Sequence, residues 1–431
     1  MRGSGEIRLP GRRRLHMPVP VAWDLGLGRE LGNVFWAMIG VEGAFGAYVG
    51  IWPLWIEALG APITVVGLVL GSSGILRLLT LAPSAALADR IDPRRLILAA
   101  RSLTGLGMIS AAFATNWTML APMVIGSAIG EIAFPLTQAH LAAHAGPEQR
   151  VRAFTLVFNV GPAIAFGIAP LISGALIARF DMRAAFIFAA ACTAFSLYFF
   201  SRFAPRAKVA KGDEPTRSSY REALAEPGVK PLLGMQFATI FSLALGISLL
   251  SPFLADQRGI SPAVVAMLGG VGSLGAIIFG LAVARGQWLQ RHPLAGIAIA
   301  IGMVMGSLAI ILWTHLVWLI ALAFIGRGGL WSAWGLFVAA LSEIARSDRV
   351  RPRVFTLSEM TGGSAFSSAP IFSGQLYAIR AEGPLLASLL ASAVLIPVLL
   401  LAQTRMRPGR TLTNEEESIA AAAPLADPEA A

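Results

Sequence analysis

Long apolar stretches alternate with short charged ones from about residue 31 to about residue 404, and the spacing of that alternation is the first signal in the chain. A helix needs about 20 apolar residues to cross the hydrocarbon of a bilayer. Runs of that length lie at about 31–55, 62–86, 96–115, 117–143, 153–178, 183–201, 231–255, 262–284, 294–314, 316–342, 354–378 and 384–404. The pattern predicts twelve spanning helices. Backbone groups in lipid must bond within their own segment or in a closed barrel, and no series of short alternating strands is present to build a barrel. The fold class predicted is an all-α polytopic membrane protein.

The polar intervals carry as much information as the runs. LADRIDPRRL, residues 87–96, holds five charged side chains in ten positions between two apolar segments. Charge that dense is expelled from hydrocarbon, so the chain leaves the lipid there and turns back. The longest interruption, residues 201–230, is rich in charge, Pro and Gly and reads as a solvated linker. It divides the chain into two bundles of six helices, 31–201 and 231–404, joined by residues 202–230. Residues 1–30 form a predicted N-terminal tail and 405–431 a C-terminal tail, the latter predicted to be disordered.

Composition agrees with this reading. Only 13% of the 431 residues are charged, against about a quarter in soluble proteins. A net charge of +10 raises nucleic acid as a partner, but the basic residues are scattered through short loops, and their placement reports topology instead. One set of intervals holds Arg12 to Arg14, Arg90, Arg94, Arg95, Arg150, Arg152, Arg202 to Lys230, Arg285, Arg291, Arg346 to Arg353 and Arg405 to Arg410. The other set holds only Arg179, Arg183, Arg258 and Arg380. Basic loops stay on the cytoplasmic side, so both termini are expected in the cytoplasm, with the protein in a bacterial inner membrane. No apolar core of a signal peptide precedes Pro20, and Met17 suits a translation start as well as Met1. Cys192 is the only cysteine, which excludes an intrachain disulfide and a multi-cysteine zinc site.

The two halves repeat one another. PLWIEALGAPITVVGLVLG (53–71) aligns with PFLADQRGISPAVVAMLGG (252–270), matching Pro53 with Pro252, Gly60 with Gly259 and Gly71 with Gly270 at one offset throughout. RVRAFTLVFNVGPAIAFGIAPLISG (150–174) aligns with RPRVFTLSEMTGGSAFSSAPIFSG (351–374), which is one residue shorter. Parallel duplication of this kind is known in transporters whose site lies between the halves near the bilayer midplane.

On these residues the chain resembles the major facilitator superfamily over essentially all its spans. That family carries Gly-x-x-x-Asp-Arg-x-Gly-Arg-Arg between its second and third helices. This chain has ALADRIDPRR there, with Asp89, Arg90, Arg94 and Arg95 matching, and Ala85 and Asp92 in place of glycines. The fifth-helix Gly-Pro-x-x-Gly-Gly of the family is softened to APLISG. RLLTLAPSAALADRIDPRRL is similar to permeases of the phenylpropionate and nucleoside type. The resemblance implies two pseudo-symmetric six-helix bundles with helices 1, 4, 7 and 10 around a central cavity. It also implies a gating role for Asp89 against a helix N-terminus of the other half, with Arg90 and Arg94 pairing across the bundle in the outward-open state. The alternative for the arginines is topology alone.

Charges inside the spans are the candidate chemistry, since each costs about 2.5 to 3.5 kcal/mol at the bilayer centre on insertion scales. Glu42 lies midway along span 1, Arg77 two-thirds along span 2, Glu131 at the middle of span 4 and Arg327 near the middle of span 10. Ser127, Glu131 and Gln138 recur on one helical face, as do Arg327, Trp331 and Trp334, while Gln236, Thr239 and Ser242 follow at three-residue steps in span 7. Glu131 or Glu42 is the expected proton carrier, because burial favours the neutral form of a carboxyl. Arg327 is expected to attract an anionic or carbonyl-bearing solute, with Trp331 and Trp334 stacking on a ring and Gln138, Gln236 and Arg77 as further contacts. The alternative is a buried Glu–Arg pair that only joins the halves. Arg77 has a second option, the loop containing Asp89, and Glu359 is a minor candidate. His140 and His144 stand four apart on one face, a spacing that can hold metal, but no third ligand converges in sequence and a satisfied interfacial pair is expected. Small-residue pairs such as Gly67 with Gly71 and Gly126 with Gly130 favour close helix packing.

A monomeric secondary transporter follows, moving a small organic solute by alternating access, driven by protons and needing no cofactor. Export is favoured by the softened fifth-helix motif, with proton-symport uptake of an aromatic or carboxylate-type solute as the alternative. No Walker motif appears, and no nucleophile-base or metal set suits an enzyme. A transporter-shaped receptor is the remaining class.

Overall fold

The chain is described by a computed structural model over residues 23–203, 219–344 and 350–405. Six helices make up the first half. Helix α1 (Arg29–Val49) continues past a 49° bend as Trp52–Ala58. It is followed by α2 (Ile63–Arg90), α3 (Pro93–Ala112), α4, α5 and α6 (Arg183–Phe200). Within these, α4 consists of a short turn Trp117–Leu120 and two pieces, Ala121–Gly130 and Ala133–His144, and α5 runs from Pro147 to Arg179. The second half holds α7 (Val229–Ile247, then Leu250–Arg258), α8 (Pro262–Arg285), α9 (Pro293–Trp313), α10 (Val317–Gly326 and Gly329–Ile344), α11 (Arg351–Ile379) and α12 (Gly383–Arg405).

By length and composition nine of the described helices can each cross a membrane, and bent α1 makes a tenth. The other two long ones, α3 and α11, have 20 and 29 residues and pack within the same bundle. Their apolar character is diluted by Arg94, Arg95 and Arg101 in α3 and by a Ser/Thr-rich stretch in α11.

Local sequence explains where these helices begin and end. Asp92 caps α3 by accepting from the Arg94 N–H at 2.9 Å, with Pro93 at the first helical position, where its missing donor costs nothing. Ser261 and Pro262 start α8 in the same manner. Gly60 and Gly259, matched in the repeat, both adopt positive φ (88° and 63°), which a Cβ disfavours. The extra residue of the 150–174 segment is absorbed as one turn of π-helix, Leu156–Val160, directly after the shared Phe-Thr-Leu.

Packing repeats with the sequence. In the first half α1 lies on α5 and α6, α3 on α4 and α6, and α2 on α4; in the second, α7 lies on α11 and α12, α9 on α10 and α12, and α8 on α10. The halves meet along two seams, α2 against α11 and α5 against α8. Glycines permit the approach: a Cβ on Gly67 would lie 2.3 Å from the Pro370 carbonyl, and one on Gly174 would lie 2.6 Å from that of Ala263. Ser251 also donates to the Gly50 carbonyl at 2.5 Å. These contacts sit at the ends of the helices remote from residues 29 and 405. That side, the far side, is therefore drawn together, while the side that begins α1 and ends α12 is the terminal side.

Part of the predicted linker is helical. Tyr220–Ala225 forms a short helix capped by Ser219, with Ala223 fully buried and the Tyr220 ring 4.9 Å under the Arg353 guanidinium. An apolar Ala and an aromatic ring outweigh the local charge there. The predicted tails 1–30 and 405–431 fall mostly outside the described residues.

Candidate functional site

Four charged side chains from four helices meet inside the first half. Glu131 closes the first piece of α4, and its carboxylate lies 3.3 Å from the Arg77 guanidinium of α2. Arg101 of α3, 6% exposed, interacts electrostatically with both Glu131 and Glu42 of α1. Tyr48, six residues beyond Glu42 on α1, is buried and faces Ser127 of α4. The arrangement holds two acids and two bases, so neither carboxylate is left as an isolated buried charge. Arg101 Nε has no hydrogen-bond partner among the described residues.

The helices are shaped to bring these groups together. A Cβ on Gly130 would lie 2.1 Å from Thr104 Oγ1, so only glycine lets α4 settle on α3 beside Arg101. The α4 helix then breaks: Ile132 N–H donates to the Ile129 carbonyl and Phe134 N–H to that of Glu131, both at 3.1 Å. This break removes Gln138 from the continuous face that the spacing predicts; it lies half-buried on the second piece. The same break occurs in α10, where Gly328 N–H donates to the Ile325 carbonyl and Leu330 N–H to that of Arg327. Ile-Gly-Glu at 129–131 and Ile-Gly-Arg at 325–327 thus occupy equivalent backbone, with a charged side chain of opposite sign at each break.

Arg327 does not reach Glu131. Its guanidinium lies 4.4 Å over the Phe324 ring, and it has no acidic partner among the described residues. The Glu–Arg pair that forms is with Arg77, within one half, and not the inter-half pair with Arg327. On the second-half side of the seam, Trp334 Nε1 of α10 donates to Glu359 Oε1 of α11 at 3.2 Å, and the indole covers Gly362. Trp331 is exposed, with its ring 6.4 Å from Phe366. Leu78, next to Arg77, touches Gly363, next to Gly362. The acid cluster and the tryptophans therefore flank one contact between α2 and α11.

The polar face of α7 turns away from that place. Gln236, Thr239 and Ser242 are fully buried against α11 and α12: Gln236 accepts from Ser358 at 3.0 Å, and Ser242 meets Ser392 at 2.9 Å. Gln236 and Ser242 thus bond helix to helix in an apolar bundle, while Gln236 Nε2 and Thr239 Oγ1 have no partner among the described residues.

At the first turn between helices, Arg90 is exposed, and Arg94 donates to the Ser201 carbonyl at the end of α6, in its own half. The Asp89 side chain lies outside the described residues. On the terminal side His140 Nε2 is 2.8 Å from Glu30 Oε1, so the fold adds to the histidine pair the third group that spacing in sequence did not reveal.

The sequence profile described as Major Facilitator Superfamily matches residues 34–350. The chain belongs to that family. As a Major Facilitator Superfamily transporter it is an integral membrane protein that moves a small-molecule substrate. Solved structures agree in fold. A bacterial homologue of the human lysosomal transporter Spinster, inward-facing and unoccupied, is 18% identical with a TM-score of 0.63, covering 87% of this chain and 95% of its own. The nucleoside transporter NupG is 16% identical with a TM-score of 0.69, covering 88% and 100%. The human organic anion transporter MFSD10 (TETRAN) is 15% identical with a TM-score of 0.60, covering 87% and 98%. No curated protein sequence matches this chain.

Proposed function

We propose that the protein is a proton-coupled exporter of a small organic solute, working as a monomer in a bacterial inner membrane with both termini in the cytoplasm. The observation that carries this reading is the Glu42–Arg101–Glu131–Arg77 cluster beside the seam between halves. The side chains of Glu131 and Arg77 keep 35% and 53% of their exposure although helices surround them, so water reaches the pair. The Glu131 carboxylate lies 3.3 Å from the Arg77 guanidinium with Arg101 nearby, and a movement that draws Arg77 away leaves a place that a proton can fill. Glu131 is the coupling acid in this scheme and Glu42 its neighbour. Arg101 switches between them.

Solute recognition falls to the opposite half. Arg327, Trp331 and Trp334 suit a molecule that joins a ring to an anionic or carbonyl group, with Arg77 and Gln138 as contacts from the first half. The nucleoside transporter NupG and the organic anion transporter MFSD10 are named for solutes of that general kind. With the far side drawn together, basic loops on the terminal side make this the inward-facing state. Asp89, Arg90 and Arg94 then act at the terminal side when it closes. Export is favoured by the softened APLISG motif of α5.

Reconstituted protein tests the coupling acid. Glu131→Gln is expected to abolish accumulation driven by an imposed proton gradient in inside-out vesicles, while counterflow of trapped for external solute continues. Gradient-driven transport at the unaltered rate would remove Glu131 from the mechanism. Uptake favoured by the gradient in the opposite sense would replace export with symport.

A further inference from the structure

Among the described residues outside the acid cluster, a group of three metal-ligating side chains lies at the terminal side of the first half. Glu30 comes from the first turn of α1, and His140 and His144 come from successive turns at the end of α4. One ligand atom from each lies within 4.8 Å of the other two. Histidines four apart on a helix face the same way, and a carboxylate from a second helix faces them.

From this arrangement we propose a binding site for a borderline divalent cation, zinc in the first instance, held by Glu30, His140 and His144 with water as the fourth ligand. Two imidazoles and one carboxylate are a known ligand set for tetrahedral zinc, with bonds of about 2.0 to 2.2 Å. Tetrahedral bonds of that length set ligand atoms about 3.3 Å apart. The 2.8 Å separation of His140 Nε2 and Glu30 Oε1 must open by a few tenths of an ångström, and His144 must close in, both within side-chain rotation.

The surroundings already hold the rings in ligand orientation. His144 Nδ1 lies 2.8 Å from the His140 carbonyl, where it donates, and this fixes the tautomer that leaves Nε2 as the lone-pair donor. Such a bond to the second ring nitrogen is the usual support of a metal-bound imidazole. His140 is sandwiched: its ring is 4.3 Å from Phe203 at an interplanar angle of 14°, and 4.2 Å from His144. His144 is exposed, so an ion enters from the water and keeps a water ligand there. Magnesium and calcium, which take oxygen ligands, do not suit two imidazoles.

The site braces the two helices that carry Glu42 and Glu131. It joins α1 and α4 within one half and crosses neither seam, so it stiffens that half without locking the halves together.

Full-length protein purified through a tag without histidines, in detergent, is titrated with zinc against a chromophoric chelator, and its thermal midpoint is followed in parallel. One ion per chain, with a midpoint that rises with zinc and not with magnesium, is expected, since an ion that binds only the folded state stabilises it in proportion to occupancy. His144→Ala, at an exposed position, and Glu30→Gln are each expected to weaken zinc binding at least tenfold. Absence of stoichiometric binding by the unaltered protein overturns the site. So does binding that survives either substitution at full affinity, because the third ligand is then not what holds the ion.

Discussion

Arg101 is the residue on which the candidate site turns, and nothing in its immediate sequence marks it. It lies in LILAARSLTG, eight positions after Pro93, where an arginine near a basic turn reads as one more topology signal. Glu42, Glu131 and Arg77 were legible as misplaced charges because each interrupts an apolar run. Their partners were not, since pairing depends on how α1, α2, α3 and α4 are rotated about their axes, which periodicity in α2 and α3 does not report. Two acids at one place in a bundle require compensating cations, and that demand was the signal that could have pointed to α3. Removing one partner from a buried charged group costs about 3 to 5 kcal/mol because the others are left unpaired. We therefore expect Arg101→Gln to lower stability by about 3 kcal/mol in equilibrium unfolding from detergent micelles. Adding Glu42→Gln should return more than half of that loss, by the logic of a double-mutant cycle. Additive losses would mean that Arg101 and Glu42 do not interact.

At the scale of the element, twelve spans, their order and the duplication were readable because lipid imposes a length and a period on every crossing. The breaks in α4 and α10 were not. Both follow Ile-Gly and carry a charged residue at the same backbone position, 196 residues apart (327 minus 131), a match too short to stand out between two apolar segments. The glycine before each break is what places it: Gly130 seats on Thr104, and Gly326 on Ser307 of α9, where a Cβ would lie 2.1 Å from Oγ. The polar face of span 7 carries a related ambiguity. Serines and glutamines that bond helix to helix have the same three-residue spacing as residues that line a cavity. We expect Gly130→Ala to lower the thermal midpoint by several degrees, because the methyl group displaces Thr104 and strains the α3–α4 contact. Thr104→Ala, itself a modest loss, should relieve that strain. The pair should be more stable than the sum of the two single changes, and a simple sum would show that the glycine matters for something other than this contact.

For the whole molecule, the closed far side is a property of small residues at two seams, and it can be forced open. On α2, a Cβ at Gly67 meets the Pro370 carbonyl of α11; on α5, one at Gly174 meets the Ala263 carbonyl and the Met267 side chain of α8. Backbone cannot yield to a bulky group as a flexible side chain does, so the halves must part. Alternating access then requires that the molecule shift toward the state closed on the terminal side, since a wedge disfavours only the conformation it clashes with. Ala266, 2% exposed beneath these contacts, serves as the reporter. In a Cys192→Ala background, Ala266→Cys should refuse a membrane-impermeant maleimide applied from outside the cell. With Gly67→Leu and Gly174→Leu added, it should label readily while the protein stays monodisperse in gel filtration. Continued refusal by the folded wedge variant would mean that the seams do not hold the far side shut, and the inward-facing assignment would fall with them.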